Sequence, residues 1–336
     1  MFVIKFSYMF VICSLCAFSC LEARTHFFDH FDSPIFGVSV ISQRISSTQS
    51  WVHDCVFNGL VHSGSGGNGG AIEFSPNIPF KLVVENSVFI YCQAGYSGGG
   101  IYFYSSSSSG SECVLSNLYA SRCMCSIYST SNHYGDGQFS YIGTDYKGKN
   151  CYYGVSVMFS DPEPNTFCGH GAQRINYGKV IYQNNNLSYN NAWETSGVIF
   201  EQTSIDSNTI DNLISFTTFA HNQAYQYNCL KYLYSKFLNS YVNYVNNTEL
   251  ATDAVNHGMI ISMSGAKVRF EKCIFDLVDN TGDFSFLFKR ELTTSAELSI
   301  IDCWLPSGIK FVEAGIVNAK EATSTYAITH FSTQIQ

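Results

Sequence analysis

The sequence predicts an all-β solenoid, a fold in which short strands wind around one core and stack coil upon coil. Two observations predict it. Apolar strand segments recur at intervals close to thirty residues, and no helical span lies between them. Charged residues make up only 13% of the 336 residues, about half the usual share. Ser, Asn, Tyr, Gly and Thr take their place, and these residues suit strands and turns.

The recurrence is clearest in the first third of the chain. A Gly-Gly-x-Ile-x-Phe segment at positions 69–74 returns one interval later, at positions 98–103, as Gly-Gly-Gly-Ile-Tyr-Phe. Phe57 and Phe89 centre two alternating strands separated by a similar interval, and Leu118 follows Phe89 after one more. Equal positions in successive coils of a solenoid face the same interior column. The glycine pairs are expected at tight corners that leave no room for a Cβ atom.

The same sequence period recurs near the end of the chain. Phe275 and Trp304 are separated by the same interval as the two glycine-rich segments, and a cysteine lies just before each of them. Between residues 126 and 250 the strand segments persist, but the register of the coils cannot be derived from the sequence. The residues predicted to face the core are Phe57, Ile72, Phe89, Ile101, Leu118, Phe275 and Trp304.

The first residues have the layout of a secretory signal peptide. Lys5 is the only charged residue among the first 21, and an apolar run of thirteen residues, 6–18, follows it. That run is shorter than the roughly twenty residues that a membrane-spanning helix needs. We expect a signal peptide at 1–19, with cleavage possible as late as residue 23, an N-terminal cap at 24–50, repeats at 51–312 and a tail at 313–336. A secreted or extracellular product without a transmembrane segment or a lipid anchor is therefore predicted.

Cysteine and sequon content suits an exported chain. Ten of the thirteen cysteines lie beyond the signal region, and in an oxidising compartment at least some of them are expected to pair. Disulfides and buried thiols are both favoured over a zinc site, because C-x-x-C spacing does not occur among these ten. The candidates are Cys55, Cys92, Cys113, Cys123, Cys125, Cys151, Cys168, Cys229, Cys273 and Cys303. Asn186 and Asn246 begin N-x-S/T sequons and are the predicted glycosylation sites.

The repeats resemble those of right-handed parallel β-helix proteins. The Gly-Gly-x-Ile strands at 69–72 and 98–101, the segment Phe-Ala-His-Asn at 219–222 and the Cys-x-Phe strands carry this resemblance. It is closest to large secreted and surface families of protist parasites, and to the passenger repeats of the chlamydial polymorphic outer-membrane proteins. The resemblance implies a right-handed parallel β-helix in a single domain, with a surface or secreted role such as adhesion. It transfers no catalytic residues to this chain.

Motifs for cofactors and metals are weak in this sequence. A G-x-G-x-x-G string at 64–69 precedes an expected strand, whereas a dinucleotide site needs a helix there. Net charge −8 argues against nucleic acid as a partner. If cleavage follows residue 23, His26 is the third residue of the mature chain and a Cu(II) or Ni(II) site becomes a hypothesis. Otherwise no cofactor and no metal site are predicted.

Catalysis finds little support in the sequence. No strand contains a D-x-D or D-D pair, although Asp206 with Asp211, or Asp276 with Asp302, could align in neighbouring coils. Six tyrosines at 225–244 offer either an exposed contact surface or the interior of irregular coils. The first hypothesis is a non-enzymatic binder of a glycan or a cell-surface protein. The alternatives are a polysaccharide lyase or glycoside hydrolase on the same fold, and a structural surface component.

Overall fold

The computed structural model describes fourteen stretches of the chain, and all regular secondary structure in them is β-strand. The stretches are 29–31, 35–36, 41–42, 48–62, 66–105, 110–125, 135–144, 150–158, 169–203, 209–224, 229–249, 261–276, 288–290 and 297–305. Every strand pairing in them is parallel, so the strands stack as a β-solenoid and the predicted fold class is confirmed. In these stretches no helix is long and apolar enough to cross a membrane.

The long strands form a first sheet in which successive coils lie side by side. Its ten main strands are, in hydrogen-bonded order, β1 (Asp29–Phe31), β4 (Gln49–His53), β8 (Lys81–Glu85), β12 (Glu112–Ser121), β15 (Asn150–Met158), β17 (Lys179–Gln183), β21 (Asn212–Ala220), β24 (Lys236–Val245), β27 (Lys267–Glu271) and β30 (Glu297–Ile301). Five short strands extend it: β2 (Ile35–Phe36), β5 (Val56–Asn58), β9 (Val88–Ile90), β18 (Asn186–Ser188) and β28 (Ile274–Asp276).

A second sheet forms another side of the solenoid. It consists of β3 (Ile41–Ser42), β7 (Ile72–Phe74), β11 (Ile101–Tyr104), β14 (Ser140–Gly143), β16 (Gln173–Asn176), β20 (Val198–Glu201), β23 (Leu230–Leu233), β26 (Ile261–Ser264) and β29 (Phe288–Arg290). Two small sheets complete the coils. One contains β6 (Val61–His62), β10 (Gln93–Ala94) and β13 (Met124–Cys125), and the other contains β19 (Asn191–Ala192), β22 (Gln223–Ala224) and β25 (Thr248–Glu249).

Alternation of apolar and polar residues explains why these segments become strands with one buried face. In β8, Leu82 and Val84 point inward and are fully buried, while their neighbours are partly exposed. The same interior positions stack from coil to coil. The rings of Phe57 and Phe89 lie 4.7 Å apart, and later coils continue the pattern with Phe219, Tyr244 and Phe275. These stacked rings belong to one column of the core, in which Ala120 and Leu187 occupy the coils between Phe89 and Phe219.

The structure refines the predicted columns. Phe57, Ile72, Phe89, Ile101, Leu118 and Phe275 are buried, whereas Trp304 is partly exposed. Strand register places Phe57 beside Phe89 and Ile72 beside Ile101. The residue beside Phe89 in the next coil is Ala120, and Leu118 lies two positions earlier. Trp304 pairs with Ile274 rather than with Phe275.

Left-handed residues turn the backbone between the faces of each coil. At the first corner, which follows the first segment of each long strand, residues with φ near +50° recur: Asp54, Asn86, Asn117, Asn184, Phe216, Tyr241, Lys272 and Asp302. At the second corner the recurring residues are Gly59, Tyr91, Arg122, Tyr189, His221 and Asn246. Gly and Asn adopt this conformation with little cost, while larger side chains are strained there. A third corner contains Tyr177, Gln202, Tyr234 and Gly265.

At many corners the next residue points inward and hydrogen-bonds the turn, whereas at others an apolar residue such as Leu118 fills that place. Cys55 donates its thiol to the carbonyl of His53 at 3.3 Å, and Ser87 does the same to Glu85 at 2.7 Å. Ser87 also accepts the backbone N–H of Cys55, one coil away, at 3.1 Å. Later coils place amides in these positions, as with Asn185. These contacts satisfy backbone groups that the turn removes from the strand ladder.

The corner contacts give the cysteines a structural role as thiols. Eight of the ten candidates have described side chains, and all eight are buried thiols; none forms a disulfide in the structure. They are Cys55, Cys92, Cys113, Cys123, Cys125, Cys229, Cys273 and Cys303. The expectation of pairing therefore finds no support among these eight. The side chain of Cys151 and all of Cys168 lie outside the described residues.

The glycine pairs stand where neighbouring coils approach most closely. A Cβ atom on Gly70 would collide with the carbonyl oxygen of Gly99, and one on Gly99 would collide with that of Gln138. Gly69 and Gly98 precede them with φ of +65°. The expected intolerance of a Cβ atom is confirmed. After residues 64–69 the chain enters β7, a strand and not the helix of a dinucleotide site.

Candidate functional site

The outer face of the second sheet gathers polar side chains from six coils. We call it the tyrosine–charge face, and it consists of Glu73, Tyr102, Tyr104, Asp136, Tyr141, His170, Arg174, Glu194, Glu201 and Lys231. Strand register places Glu73, Tyr102, Tyr141 and Arg174 side by side in one column. Arg174, Ile199 and Lys231 continue that column. In a chain with so few charges, this concentration marks the face as the candidate site.

Three tyrosines form an aromatic platform at one end of this face. The rings of Tyr102 and Tyr141 stack with centroids 5.3 Å apart and planes inclined by 21°. The ring of Tyr104 lies 6.4 Å from that of Tyr141 and covers Gly143. A Cβ atom on Gly143 would collide with the Tyr104 ring, so glycine is needed for the ring to lie flat. The Tyr141 hydroxyl accepts a hydrogen bond of 2.8 Å from Asn176.

Arg174 joins the platform to two carboxylates. Its guanidinium donates to Asp136 at 2.6 Å and to Glu201 at 2.5 Å, through different terminal nitrogens. The two carboxylates therefore lie no farther apart than two hydrogen bonds and the width of one guanidinium. Asp136 and Glu201 are distant in the sequence, and the stacking of coils brings them together.

A second group of charges extends the face toward later coils. His170 Nδ1 lies 3.4 Å from Asp136 and 3.6 Å from Glu194. Glu194 accepts a hydrogen bond of 2.5 Å from the Lys231 ammonium, whose side chain is only 12% exposed. Each of these carboxylates thus has a cation or an imidazole as its neighbour. No group of three or more His, Cys, Asp or Glu residues in the described part of the chain is arranged to hold a metal ion.

Burial and charge set the protonation states of this face. Burial alone would raise the pKa of Asp136, but the hydrogen bond from His170 and the charge of Arg174 outweigh it, and the pKa is lowered. Burial raises the pKa of Tyr102 to about 12, with smaller contributions from Tyr104 and Glu73. Burial likewise raises the pKa of Tyr141. At neutral pH, Asp136 is therefore ionised and both tyrosines are neutral hydrogen-bonding groups.

A separate hollow lies on the outer face of the first sheet. It has a volume of about 250 Å³ and is lined by Gln49, Ser50, Trp51, Lys81, Val83 and Glu85. The indole N–H of Trp51 donates to Glu85 at 3.1 Å, and the Trp51 ring lies 4.4 Å from the His53 ring. It contains one large aromatic side chain and is open to solvent, so it offers fewer contacts than the tyrosine–charge face.

Exposed aromatic rings also stand at the left-handed corners. Phe216 is 52% exposed and stacks on Tyr241 at 5.3 Å, and the Lys272 ammonium lies 5.3 Å from the Tyr241 ring centre. Tyr189 stacks on His221 at 4.9 Å. The tyrosine cluster noted in the sequence divides between surface and core. Tyr234 and Tyr241 are exposed, Tyr232 and Tyr244 are fully buried, and residues 225 and 227 lie outside the described residues.

The other sites named from the sequence are distributed along the fold. Asn186 begins β18, where its side-chain oxygen accepts a hydrogen bond from Ser188, and Asn246 occupies the second corner with φ +50°. Asp302 follows β30 at the first corner, away from Asp276 at the end of β28. Asp206, His26 and the segment predicted as signal peptide lie outside the described residues.

Sequence reasoning missed the tyrosine–charge face. Its charges come mainly from coils between residues 126 and 250, where the period is irregular, and Asp136, Arg174 and Glu201 share no local motif. The only signal was in the Gly-Gly-x-Ile-Tyr-Phe strand, whose Tyr102 alternates with two buried residues and therefore points outward. Comparison with known proteins finds no matching family model, no similar curated protein and no similar solved structure.

Proposed function

We propose that this protein is a secreted or cell-surface β-solenoid that binds glycans through the tyrosine–charge face and does not cleave them. The observation that carries the proposal is the tyrosine platform beside a row of paired carboxylates and cations. A sugar ring presents apolar C–H faces and a rim of hydroxyl groups. Aromatic rings suit the first, and fixed carboxylate, amide and guanidinium groups suit the second.

The geometry of the solenoid supports an elongated ligand. Neighbouring coils are about 4.8 Å apart, the usual spacing of parallel strands, and this spacing is close to the length of one pyranose unit. The face spans β7, β11, β14, β16, β20 and β23, so a glycan lying across the strands would meet a new row of side chains at each sugar. Affinity should then increase with chain length.

The charges of the face favour a neutral ligand over an acidic one. Three carboxylates of the face have cations as neighbours: Asp136 and Glu201 on Arg174, and Glu194 on Lys231. The whole face carries four carboxylates, Glu73 included, against two cations, so its excess charge is negative and an acidic partner would be repelled. Hydroxyl groups can use the remaining lone pairs of the carboxylates without separating the ion pairs.

Export is part of this proposal and rests on the sequence. The charge at Lys5, the apolar run at 6–18 and the small residues after it support a signal peptide. The resemblance to secreted and surface β-helix families supports adhesion as the biological role. N-terminal sequencing of the protein secreted from a eukaryotic host would test the predicted cleavage after residue 19 or residue 23.

A glycan array tests the binding proposal directly. We expect the wild-type protein to bind one class of neutral glycan, and Tyr141→Ala to lose at least tenfold in affinity. Trp51→Ala, which removes the aromatic residue of the separate hollow, should bind as the wild type does. Loss of binding in Trp51→Ala with full binding in Tyr141→Ala would move the site to the first sheet and contradict the proposal.

Glycan cleavage is the second candidate, because Asp136 and Glu201 meet on one guanidinium. Glycosidases use two carboxyl groups a few ångströms apart, but one of them must remain protonated as the acid. The lowered pKa of Asp136 does not suit that role. A reducing-sugar release assay run with the array distinguishes the candidates. Sugar release that disappears in Asp136→Asn would establish the enzyme and overturn binding without cleavage.

A further inference from the structure

Two pairs of buried cysteines occupy equal positions in consecutive coils. Cys92 and Cys123 both follow the second corner, and strand register continues directly after them, with Gln93 beside Met124. Cys273 and Cys303 both follow the first corner. The register before them pairs Glu271 with Ile301, and the register after them pairs Ile274 with Trp304.

The two cysteines of each pair lie beside each other in neighbouring coils. The N–H of Met124, the residue after Cys123, donates to the carbonyl of Cys92 at 3.0 Å. The backbone N–H of Cys273 also donates to the Cys303 sulfur at 3.4 Å. In-register residues of adjacent parallel strands have Cα atoms about 4.8 Å apart, inside the range of roughly 4.4–6.8 Å that disulfides span. A disulfide between the two side chains is therefore compatible with the spacing of the strands.

We propose that these pairs close as disulfides between consecutive coils, Cys92 with Cys123 and Cys273 with Cys303, when the protein meets a small disulfide oxidant such as oxidised glutathione. One protein thiolate attacks the oxidant, forms a mixed disulfide and releases one glutathione thiolate. The second protein thiol loses its proton and attacks the mixed disulfide at the protein sulfur. The protein disulfide then forms, a second glutathione leaves, and two thiols have been oxidised for each disulfide reduced.

The pair at Cys273 and Cys303 is expected to react first. The neighbouring Cys273 side chain and the hydrogen bond from the Cys273 backbone N–H lower the pKa of Cys303, which makes it the attacking thiolate. Burial raises the pKa of Cys123 well above its usual range. Cys303 is also slightly exposed, at 3%, while Cys92 and Cys123 are completely buried. We expect the pair at 92 and 123 to oxidise at least tenfold more slowly.

Peptide mapping after timed oxidation tests this inference. The full-length protein is purified with reductant, transferred to oxidised glutathione, quenched by alkylation and digested without reduction. Peptides linking 273 with 303 should appear first, followed by peptides linking 92 with 123. Cys229 is the internal control. It lies one coil after Gly197, with no cysteine beside it in that coil, and should remain alkylated. Alkylated thiols at all four positions, or links from any of these four to another cysteine, would overturn the inference.

Two serine variants test the order of attack without removing a corner hydrogen bond. Ser87 already occupies the position equivalent to Cys273 in another coil, so serine is accommodated there. Cys273→Ser should trap a stable glutathione adduct on Cys303. Cys303→Ser should take up glutathione on Cys273 far more slowly. Equal rates of adduct formation in the two variants would contradict the assignment of Cys303 as the attacking thiol.

Discussion

The first coils and the middle coils complete the same corners with different chemistry. Between residues 48 and 125, thiols follow the corners, at Cys55, Cys92 and Cys123. Between residues 179 and 249, amides stand at the second corner, at Asn190, Asn222 and Asn247. The backbone is left-handed before both groups. An inward hydrogen-bonding group at a corner can therefore be a thiol or an amide, and other corners have a hydroxyl, as at Ser87, or an apolar side chain, as at Leu118.

The two groups differ in how far their hydrogen bonds extend. Asn190 donates to Asn222 at 3.0 Å, and Asn222 donates to Asn247 at 3.0 Å, so one row of amides links three coils. The side-chain oxygens of Asn222 and Asn247 also accept a backbone N–H from the preceding coil. The thiols of Cys92 and Cys123 reach backbone carbonyls at 3.7 Å, a weaker contact. We accordingly expect the middle coils to unfold at a higher denaturant concentration than the first coils.

The core shows a parallel difference. Phenylalanine fills the stacked column in the first coils, at Phe57 and Phe89, while Tyr244 lies between Phe219 and Phe275 in later coils. The hydroxyl of Tyr244 is buried and has no hydrogen-bond partner among the described residues. The hydroxyl of the neighbouring Tyr232 donates to Asn239 at 2.8 Å. The middle coils thus combine stronger corners with one uncompensated polar group.

Replacing Asn222 by Ala should have the largest effect. The change removes hydrogen bonds to Leu187, Asn190 and Asn247 in a fully buried setting. At about 1 kcal/mol for each lost bond, the free energy of unfolding should fall by about 4 kcal/mol. Urea denaturation measures it. Gln183→Ala is the matched control, because that amide bonds the next coil from the outer surface, and it should cost about 0.5 kcal/mol. Equal losses of stability in the two variants would show that the buried amide row contributes no more than a surface amide.

Arg174→Met should destabilise the tyrosine–charge face by about 2 kcal/mol at neutral pH, because two partly buried carboxylates lose their shared cation. The folded-state pKa of Asp136 is lowered, so its contribution is complete above its unfolded pKa, about 3.9, and is lost as the pH falls through the lower folded value. The difference between wild type and variant should therefore be constant from pH 6 to 8 and shrink below about pH 4.

Denaturant midpoints measured across this pH range check the prediction. Lys81→Met serves as the control, since its ion pair with Glu112 spans 3.3 Å and the Lys81 side chain is 43% exposed. That variant should differ little from the wild type at any pH. If the stability difference between wild type and Arg174→Met became larger at acidic pH, this account of the ion pairs would be refuted.

Substitutions of Cys92 separate a corner hydrogen bond from simple filling of space. Cys92→Ala should cost about 1 kcal/mol, because the contacts to the carbonyls of Phe57 and Ile90 disappear. Cys92→Ser keeps a donor in place and should cost less than the alanine variant. Thermal unfolding of both proteins under reducing conditions provides the comparison. A serine variant less stable than the alanine variant would mean that the thiol acts only as an apolar group.

Tyr244→Phe should be a stabilising change of about 1 kcal/mol, since it deletes a buried hydroxyl without a partner among the described residues and leaves the ring stack intact. Tyr232→Phe is the paired measurement and should lower stability by a similar amount, because it breaks the bond to Asn239. Equilibrium unfolding of the two variants under the same conditions should show changes of opposite sign in the free energy of unfolding. Effects of the same sign would contradict this view of the middle core.

Periodicity in the sequence predicted the fold and most of its core. Phe57, Phe89 and Ile72 repeat at nearly constant intervals because each coil has nearly constant length. Leu118 lies one interior column away from the position that its spacing from Phe89 predicts, because the distance between the two strands is not the same in every coil. Asn86 and Asn117 occupy the same corner, and aligning on them would have placed Ala120 beside Phe89.

The candidate site was beyond reach of the sequence for a physical reason. Asp136, Arg174 and Glu201 meet only because coils of unequal length stack in register, and chain segments of different size separate their strands. The roles of the cysteines were also hidden. A thiol that hydrogen-bonds a corner has no sequence spacing that identifies it. Its role becomes visible only in the structure, where it follows a left-handed residue such as Asp54 or Lys272.

Titration with oligosaccharides of increasing length tests the central claim most directly. The glycan class found on the array would be prepared as a series of chain lengths, and its affinity measured by calorimetry for wild type, Tyr102→Ala and Tyr141→Ala. If the tyrosine–charge face binds one sugar per coil, affinity should rise with length until the face is covered, and both variants should lose that rise. Affinity that is independent of length, or unchanged in both variants, would contradict glycan binding along this face.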